Sequence, residues 1–386
     1  MRKFLIPLLA AMLSVCMIFV IGATCAVAQT SPYIYQYDEM FTKRDLKQSA
    51  DLTNSVEYAV SDGQDIHITG EGVFVLTGSA RDVTVYVEAG QDDKVQLVLD
   101  GLTITNLDAP VIYVKSADKV FVTTDRDSSL SVTGAFSSSD KADGVVYSKC
   151  DIVFNGDALL TISSARNGIV SKDDLKITGG SYAVTAADKA IEANDSIRIA
   201  GGTLNLKAGT DCIHAENSDD DSKGYIYIAG GDITINAQDD GIHAVSVVQV
   251  NDGKITISAA EGIEGTYIQI NSGTISINGL DDGINAAQKS GAYRAAIEIN
   301  GGTITVDMAS GDTDGIDSNG DIVINGGTIT VTGGSSFDYD GTATYNGGTI
   351  IVNGQQLNYI PNQMMGGRGG MGGWGGMGSW GGRRQG

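Results

Sequence analysis

Short runs of alternating apolar and polar residues dominate the chain from Asp65 onward. In Thr303-Ile304-Thr305-Val306, a strand would send Ile304 and Val306 to one face and the threonines to the other. The same alternation marks Ile66 and Ile68, then residues 73–76, 83–87, 95–99, 102–105, 112–114 and 120–122. Helical periodicity of useful length is absent after the leader. These patterns predict short strands separated by tight turns.

From about residue 144 the alternation becomes a repeat. Asp239-Asp240-Gly241-Ile242-His243-Ala244 returns as Asp281-Asp282-Gly283-Ile284-Asn285-Ala286. Weaker copies begin at Asn167, Lys189, Asp211, Glu261 and Asp314. The spacing is roughly 21–22 residues where nothing is inserted, which is a solenoid period. Between the copies stands a second turn signal, as in Gly201-Gly202-Thr203-Leu204, Gly230-Gly231-Asp232-Ile233, Gly301-Gly302-Thr303-Ile304 and Gly326-Gly327-Thr328-Ile329. Two turns and short alternating strands per repeat predict one coil of an all-β parallel β-helix, with Ile/Val/Leu ladders inside and Thr/Ser/Asn ladders outside.

Composition sharpens this picture. Glycine is frequent at 52 and proline scarce at 4, which suits tight turns between strands. The net charge is -22, and removing Arg2 and Lys3 with a leader takes it to -24 (-22 minus 2). Such a surface repels nucleic acid and anionic membranes and attracts divalent cations. Arg2, Lys3, the apolar run 5–20 and Ala26-Val27-Ala28 read as a secretory signal over residues 1–28, so the expected location is secreted or at the bacterial cell surface. After cleavage no stable membrane insertion is expected; retention of the segment as an anchor is the alternative. Leu13-Ser14-Val15-Cys16 resembles a lipobox, but Val15 is too large for it. Cys150 and Cys212 remain after the leader, about three coils or roughly 14 Å apart at the strand spacing, too far for a disulfide. Buried free thiols are expected.

Residues 29–60 are polar and irregular, with Tyr33, Tyr35 and Tyr37, and read as a lead-in that caps the first open edge. Residues 61–360 form the β-helix. Insertions at 216–225 and 287–296 follow the same motif position, so both should project from one edge and wall a groove there; plain surface loops are the alternative. Phe337-Asp338-Tyr339-Asp340-Gly341 and Tyr345 close the last coil. Residues 361–386 are a Gly/Met-rich tail with Trp374, Trp380, Arg368, Arg383 and Arg384, either a flexible segment or a surface that stacks on sugars.

The chemistry gathers on the Asp-Gly-Ile-x edge. The residue after Ile should point outward, giving Glu192, His214, His243, Glu264, Asn285 and Asp317 up the coils. Just before the Gly position stand Asp211, Asp240, Glu261, Asp282 and Asp314, with Asp239 and Asp281 one residue earlier. Stacked carboxylates about 5 Å apart repel by about 0.8 kcal/mol in water and about 3 kcal/mol at an effective dielectric of 20. A cation would offset this, and flexible oxygen ligands suit Ca²⁺. Solvated acidic Asp-Gly turns need no metal and are the competing interpretation. The two histidines make one paired ladder position with no Cys partner, which favours stacked solvated side chains over a transition metal.

Several stretches together resemble one family. They are the Asp-Asp-Gly-Ile-His-Ala coils, Glu261-Gly262-Ile263-Glu264, the repeated Gly-Gly-Thr-Ile and the closing run 337–344. To these add Gly72-Val73-Phe74-Val75-Leu76-Thr77-Gly78, the run 95–106 and Ala117-Asp118-Lys119-Val120. Over roughly residues 50–354 the chain resembles the bacterial carbohydrate-binding β-helix family typified by a clostridial cellulose- and polygalacturonate-binding protein. The resemblance implies a secreted, right-handed, polysaccharide-lyase-like β-helix with bound calcium. It also implies binding of cellulose or an acidic pectic glycan without established catalysis.

On these grounds the metal candidates are Glu192, Asp211, Asp239, Asp240, Glu261, Glu264, Asp281, Asp282, Asp314 and Asp317. The glycan candidates are His214, His243, Asn285, Tyr225, Tyr267, Tyr293 and Arg294, with Tyr227 set aside if it points inward. A uronate lyase is the alternative; it needs a base near the sugar, for which Arg166, Lys172, Lys189 and Arg294 are available outside any lyase signature. An inverting hydrolase would need two carboxylates at a set separation, which a sequence does not reveal. Outward pairs such as Thr303/Thr305 and Thr328/Thr330 raise an ice- or surface-binding solenoid, against which stand Asp232, Asn236 and Lys254 in the same array.

Overall fold

The computed structural model describes residues 33–363 apart from 138, 139 and 312; the leader and the tryptophan-bearing part of the tail lie outside the described residues. Strands alternate with turns throughout, and a short helix, Tyr37–Met40, precedes them. Three strands make a coil. Ile191–Ala193, Ser196–Ile199 and Thr203–Ala208 pair in parallel with Ile213–Ala215, Tyr225–Ile228 and Asp232–Asn236 of the next coil. Repetition of this pairing gives a parallel β-helix with three faces. In the coils that follow, the first two strands run on as Asp240–Val250 and Glu261–Ile270.

The alternation works as the sequence requires. Ile191, Ile213, Ile242, Ile263, Ile284, Ile316 and Phe337 stack in register inside, each fully buried. Each such side chain contributes about 1.5–3 kcal/mol relative to exposure. The Gly-Gly turns behave as expected too, with Gly302, Gly327 and Gly348 at φ of 87°, 84° and 92°. The asparagines before these turns form a further ladder. Asn300 Nδ2 donates to Asn271 Oδ1 at 2.7 Å, and Asn325 Nδ2 donates to Asn300 Oδ1 at 2.7 Å.

The motif glycine has a different role from the one its Asp-Gly pairing predicts. Gly241 and Gly283 lie within strands, not turns. A Cβ on Gly262 would sit 2.3 Å from the Gly283 carbonyl oxygen and 2.5 Å from Ile277 Cγ2. Glycine is needed there for close approach of adjacent coils, not for its dihedral freedom. Replacing Gly262→Ala is expected to destabilise the fold by about 1–3 kcal/mol through overpacking. A lowered urea midpoint at unchanged slope checks this; an unchanged midpoint would show that the coils can spread.

The lead-in departs from expectation. The open edge is met by Val56–Ala59, which pairs with Gly72–Arg81 as a coil strand. Residues 33–51 instead run along the second face. Tyr35 exchanges backbone hydrogen bonds with the Gln249 amide at 2.8 and 2.9 Å. Farther along, Asp45 forms a buried ion pair with Lys176 at 3.0 Å, and Gln48 donates to the Thr178 carbonyl at 3.1 Å. At the other end, Thr349–Val352 is closed by the antiparallel strand Gln355–Leu357. Cys150 and Cys212 are free; Cys212 is buried and Cys150 half-buried.

Candidate functional site

The first face carries the expected ladder in full register. Glu192, His214, His243, Glu264, Asn285 and Asp317 are successive partners, and Asp338 continues the row. In the opposite direction the row passes through the buried Val170 to Tyr147, Tyr113 and Tyr86. In the preceding row Asp240 pairs with Glu261, and Asp282 with Asp314. Asp239 and Asp281 are exposed on the outer side of this row. Burial of the neighbouring Ile positions fixes which way each ladder side chain points.

Two electrostatic regimes share this edge. In the first, the acids have Lys or His side chains within ion-pair distance. Lys172 reaches Glu192 at 2.8 Å and Lys189 approaches it at 3.9 Å. Burial pushes the Glu192 carboxyl up, but Lys172 outweighs it and holds the group below its usual range. His214 Nδ1 lies 2.7 Å from Asp211 Oδ2, and His243 Nδ1 lies 2.6 Å from Asp240 Oδ2 and 3.0 Å from Glu264 Oε2. Burial pulls the His243 imidazole down, yet Asp240 and Glu264 raise it to about 9. Glu264, pushed up by burial, is brought to about 2 by His243 and by Lys289 at 2.8 Å.

In the second regime the carboxylates face each other. Among the described residues Glu261, Asp282, Asp314, Asp317 and Asp338 show no Lys, Arg or His within ion-pair distance. Burial raises Glu261 to about 7. Burial together with Asp317 raises Asp282 to about 7, and burial together with Asp338 raises Asp317 to about 6. Asn285 Nδ2 donates to Glu261 Oε2 at 3.0 Å, whereas Asn285 Oδ1 and Asp314 Oδ1 are buried without a hydrogen-bond partner. Oxygen-only donors with unspent lone pairs are what Ca²⁺ takes. The residues present therefore fit that ion here better than along the His-bearing coils.

The two insertions do share an edge. Ser290 Oγ donates to the Asp221 carbonyl at 2.6 Å, so the loops touch. Lys189, Glu192, Asn194, His214, Glu216 and Ser218 line a cleft of about 190 Å³ against the first insertion. The insertions also deliver Glu216 and Lys289 onto the ladder, which the sequence reading missed. The usable signal was their position: both loops leave the chain just after the motif.

The tyrosines are a correction. Tyr225 is 9% exposed and stacks on Tyr35 with ring centroids 4.3 Å apart. Tyr227 is fully buried against Phe41 and Tyr35, packed outside the solenoid core rather than within it. Tyr267 donates to Glu298 at 2.6 Å and packs with Tyr293 in the same cluster. These rings lie on the second face beneath the lead-in, so Tyr225 and Tyr267 are not open stacking platforms. Arg294 is exposed, beyond the ladder.

Fold and edge together define a β-helix that presents a long polar ladder, suited to an extended ligand. The carbohydrate-binding domain-containing protein family matches residues 62–341, and the chain belongs to that family. A carbohydrate-binding domain-containing protein of Acetivibrio thermocellus is 36% identical over 130 residues, covering 32% of this chain. That match spans 46% of the relative's own length. A solved structure described as a polysaccharide lyase-like protein from C. thermocellum, in a gadolinium derivative, aligns over 76% of this chain and 98% of that one. Its sequence identity is 21% and its TM-score 0.35.

Proposed function

We propose that the protein is a secreted polysaccharide-binding protein that uses Ca²⁺ and does not turn its ligand over. Family membership supports carbohydrate as the ligand. The observation that carries the calcium dependence is the run of carboxylates on successive coils without a cationic partner. Asp282, Asp314 and Asp317, with Asn285 and Glu261, would hold the ion. Ca²⁺ held there would offset their repulsion and supply a positive charge to attract sugar oxygens. An acidic pectic glycan fits best, since its carboxylates can complete such a coordination sphere; cellulose is the neutral alternative. The ligand runs along the ladder and the cleft beside Lys189, His214 and Glu216.

Two of the four candidate bases, Lys172 and Arg166, are poorly suited to a lyase. A catalytic base must be free of its proton near neutral pH. Burial pulls Lys172 down, but Glu192 holds it above its ordinary value. Arg166 is raised by its bond to Asp188 at 3.0 Å. Each is occupied as an ion-pair partner.

Co-sedimentation with polygalacturonate, with Ca²⁺ or with chelator, tests this reading. The expected result is binding in Ca²⁺ alone, with no ultraviolet absorbance from unsaturated product. Rising absorbance would make the protein a lyase. Binding to neither polygalacturonate nor cellulose would sink the proposal.

A further inference from the structure

The middle of the ladder is chemically unlike its acidic end. His214 and His243 are neighbours on adjacent coils, with ring centroids 4.7 Å apart and planes tilted by 40°. One donor atom from each of Asp211, His214 and His243 lies within 4.8 Å of the others. We propose that these residues, completed by Glu216, form a second cation site, selective for a borderline divalent ion of the zinc class rather than for calcium.

Three observations carry this. The first is orientation. Metal-ligating histidines are usually held through their second nitrogen by a carboxylate, which fixes the tautomer and the ring. Asp240 and Glu264 hold His243 at Nδ1, at 2.6 and 3.0 Å, which leaves Nε2 as its donor. His214 has Asp211 at 2.7 Å from Nδ1 and Glu216 at 3.2 Å from Nε2. Whichever of its nitrogens ligates, a carboxylate holds the other.

The second is donor type. Imidazole suits zinc, copper and nickel, whereas calcium prefers oxygen alone. Two nitrogens, with whichever of Asp211 and Glu216 is not holding His214, make a three-residue set that leaves the fourth position of a tetrahedral zinc open. The third is charge and access. Asp211, Glu216, Asp240 and Glu264 place four carboxylates around the two rings, and Lys289 balances only Glu264 among them. The Glu216 side chain is 59% exposed at the rim of the cleft, so an ion can enter and Glu216 can close on it. The competing arrangement is a closed network of His–carboxylate pairs that needs no metal.

Metal-stripped full-length protein titrated with ZnCl₂, and separately with CoCl₂, decides between them. A single Zn²⁺ is expected to bind per chain, and Co²⁺ is expected to show an intense visible ligand-field band. His214→Ala and His243→Ala are expected to weaken Zn²⁺ binding about tenfold or more. Glu216→Gln, at an exposed position that does not threaten folding, is expected to weaken it too. Asp282→Asn should leave Zn²⁺ binding intact, and excess Ca²⁺ should not displace the ion. A Co²⁺ spectrum matching the hydrated ion would overturn the site. So would Zn²⁺ binding that Glu216→Gln and His243→Ala leave unchanged, or that Asp282→Asn or Ca²⁺ abolishes. A calcium titration of the same samples reads the acidic end separately, so failure of one site is distinguishable from failure of the other.

Discussion

In chelator, the protein is expected to lose thermal stability as the pH rises from about 4 to about 7, and Ca²⁺ is expected to abolish most of that loss. The sign follows from the acidic end of the ladder. Glu261 and Asp282 are raised to about 7, and Asp317 to about 6. Between their unfolded values near 4 and these folded values, the native state holds more protons than the unfolded chain. Stability therefore falls with rising pH through that window. The three groups are partly open to solvent and repel one another, so screening reduces the effect well below the sum of their separate shifts. A combined loss of about 2–4 kcal/mol is expected. Melting curves at several pH values, with chelator or with Ca²⁺, check it. Asp282→Asn combined with Asp317→Asn should flatten the chelator profile and blunt the Ca²⁺ response. A profile already flat in chelator would show that the carboxylates do not need a cation.

The His-bearing coils respond in other windows. His243, raised to about 9, contributes stability that is fully present below about 6.5 and lost as pH rises through 9. Glu264, lowered to about 2, contributes above its ordinary value and loses this as pH falls through 2. Neutral pH in chelator thus stresses the Asp282–Asp317 end while leaving the histidine end largely intact.

Much of this edge was legible in the sequence because a strand has a period of two. Once Ile242 and Ile284 are assigned inward, His243 and Asn285 must point outward, and the repeat sets which residues become neighbours. The ladder from Glu192 to Asp317 therefore came out in register. Which acids are neutralised was not legible. Lys289 reaches Glu264 from an insertion whose path the repeat does not constrain. The tyrosines show the same limit. The sequence left open whether Tyr227 points inward; both Tyr225 and Tyr227 lie outside the solenoid core, where a segment far earlier in the chain covers them. Period-two patterning records which way a side chain points, not what lies on top of it. The motif glycine was misassigned for a related reason: Asp-Gly is a frequent turn pair, and the carbonyl that excludes a Cβ at Gly262 belongs to the next coil.

Asp45→Ala is expected to be among the most destabilising single substitutions on the surface-lying lead-in, at about 3–5 kcal/mol. Asp45 and Lys176 side chains are 1% and 6% exposed, with Nζ and Oδ2 3.0 Å apart. Burial pushes the Asp45 carboxyl up, but the Thr42 N–H and Lys176 together hold it below its usual range. Burial and the neighbouring Lys119 meanwhile lower Lys176. Removing the carboxylate leaves Lys176 without its ion-pair partner beside Lys119, which keeps Asp151 at 3.3 Å, and leaves the Thr42 N–H unpaired. The lead-in can relieve this by lifting away, which would uncover the Tyr225 and Tyr227 rings it now shields. The variant should therefore show a lower urea midpoint and early proteolytic cleavage within residues 33–51. A double variant, Asp45→Ala with Lys176→Met, should recover most of the stability by removing the orphaned charge. Recovery with the lead-in again protected would establish that this segment is held by packing and that the ion pair fixes its register. A single variant as stable and as protected as the parent would show that water reaches Lys176 and that the pair contributes little.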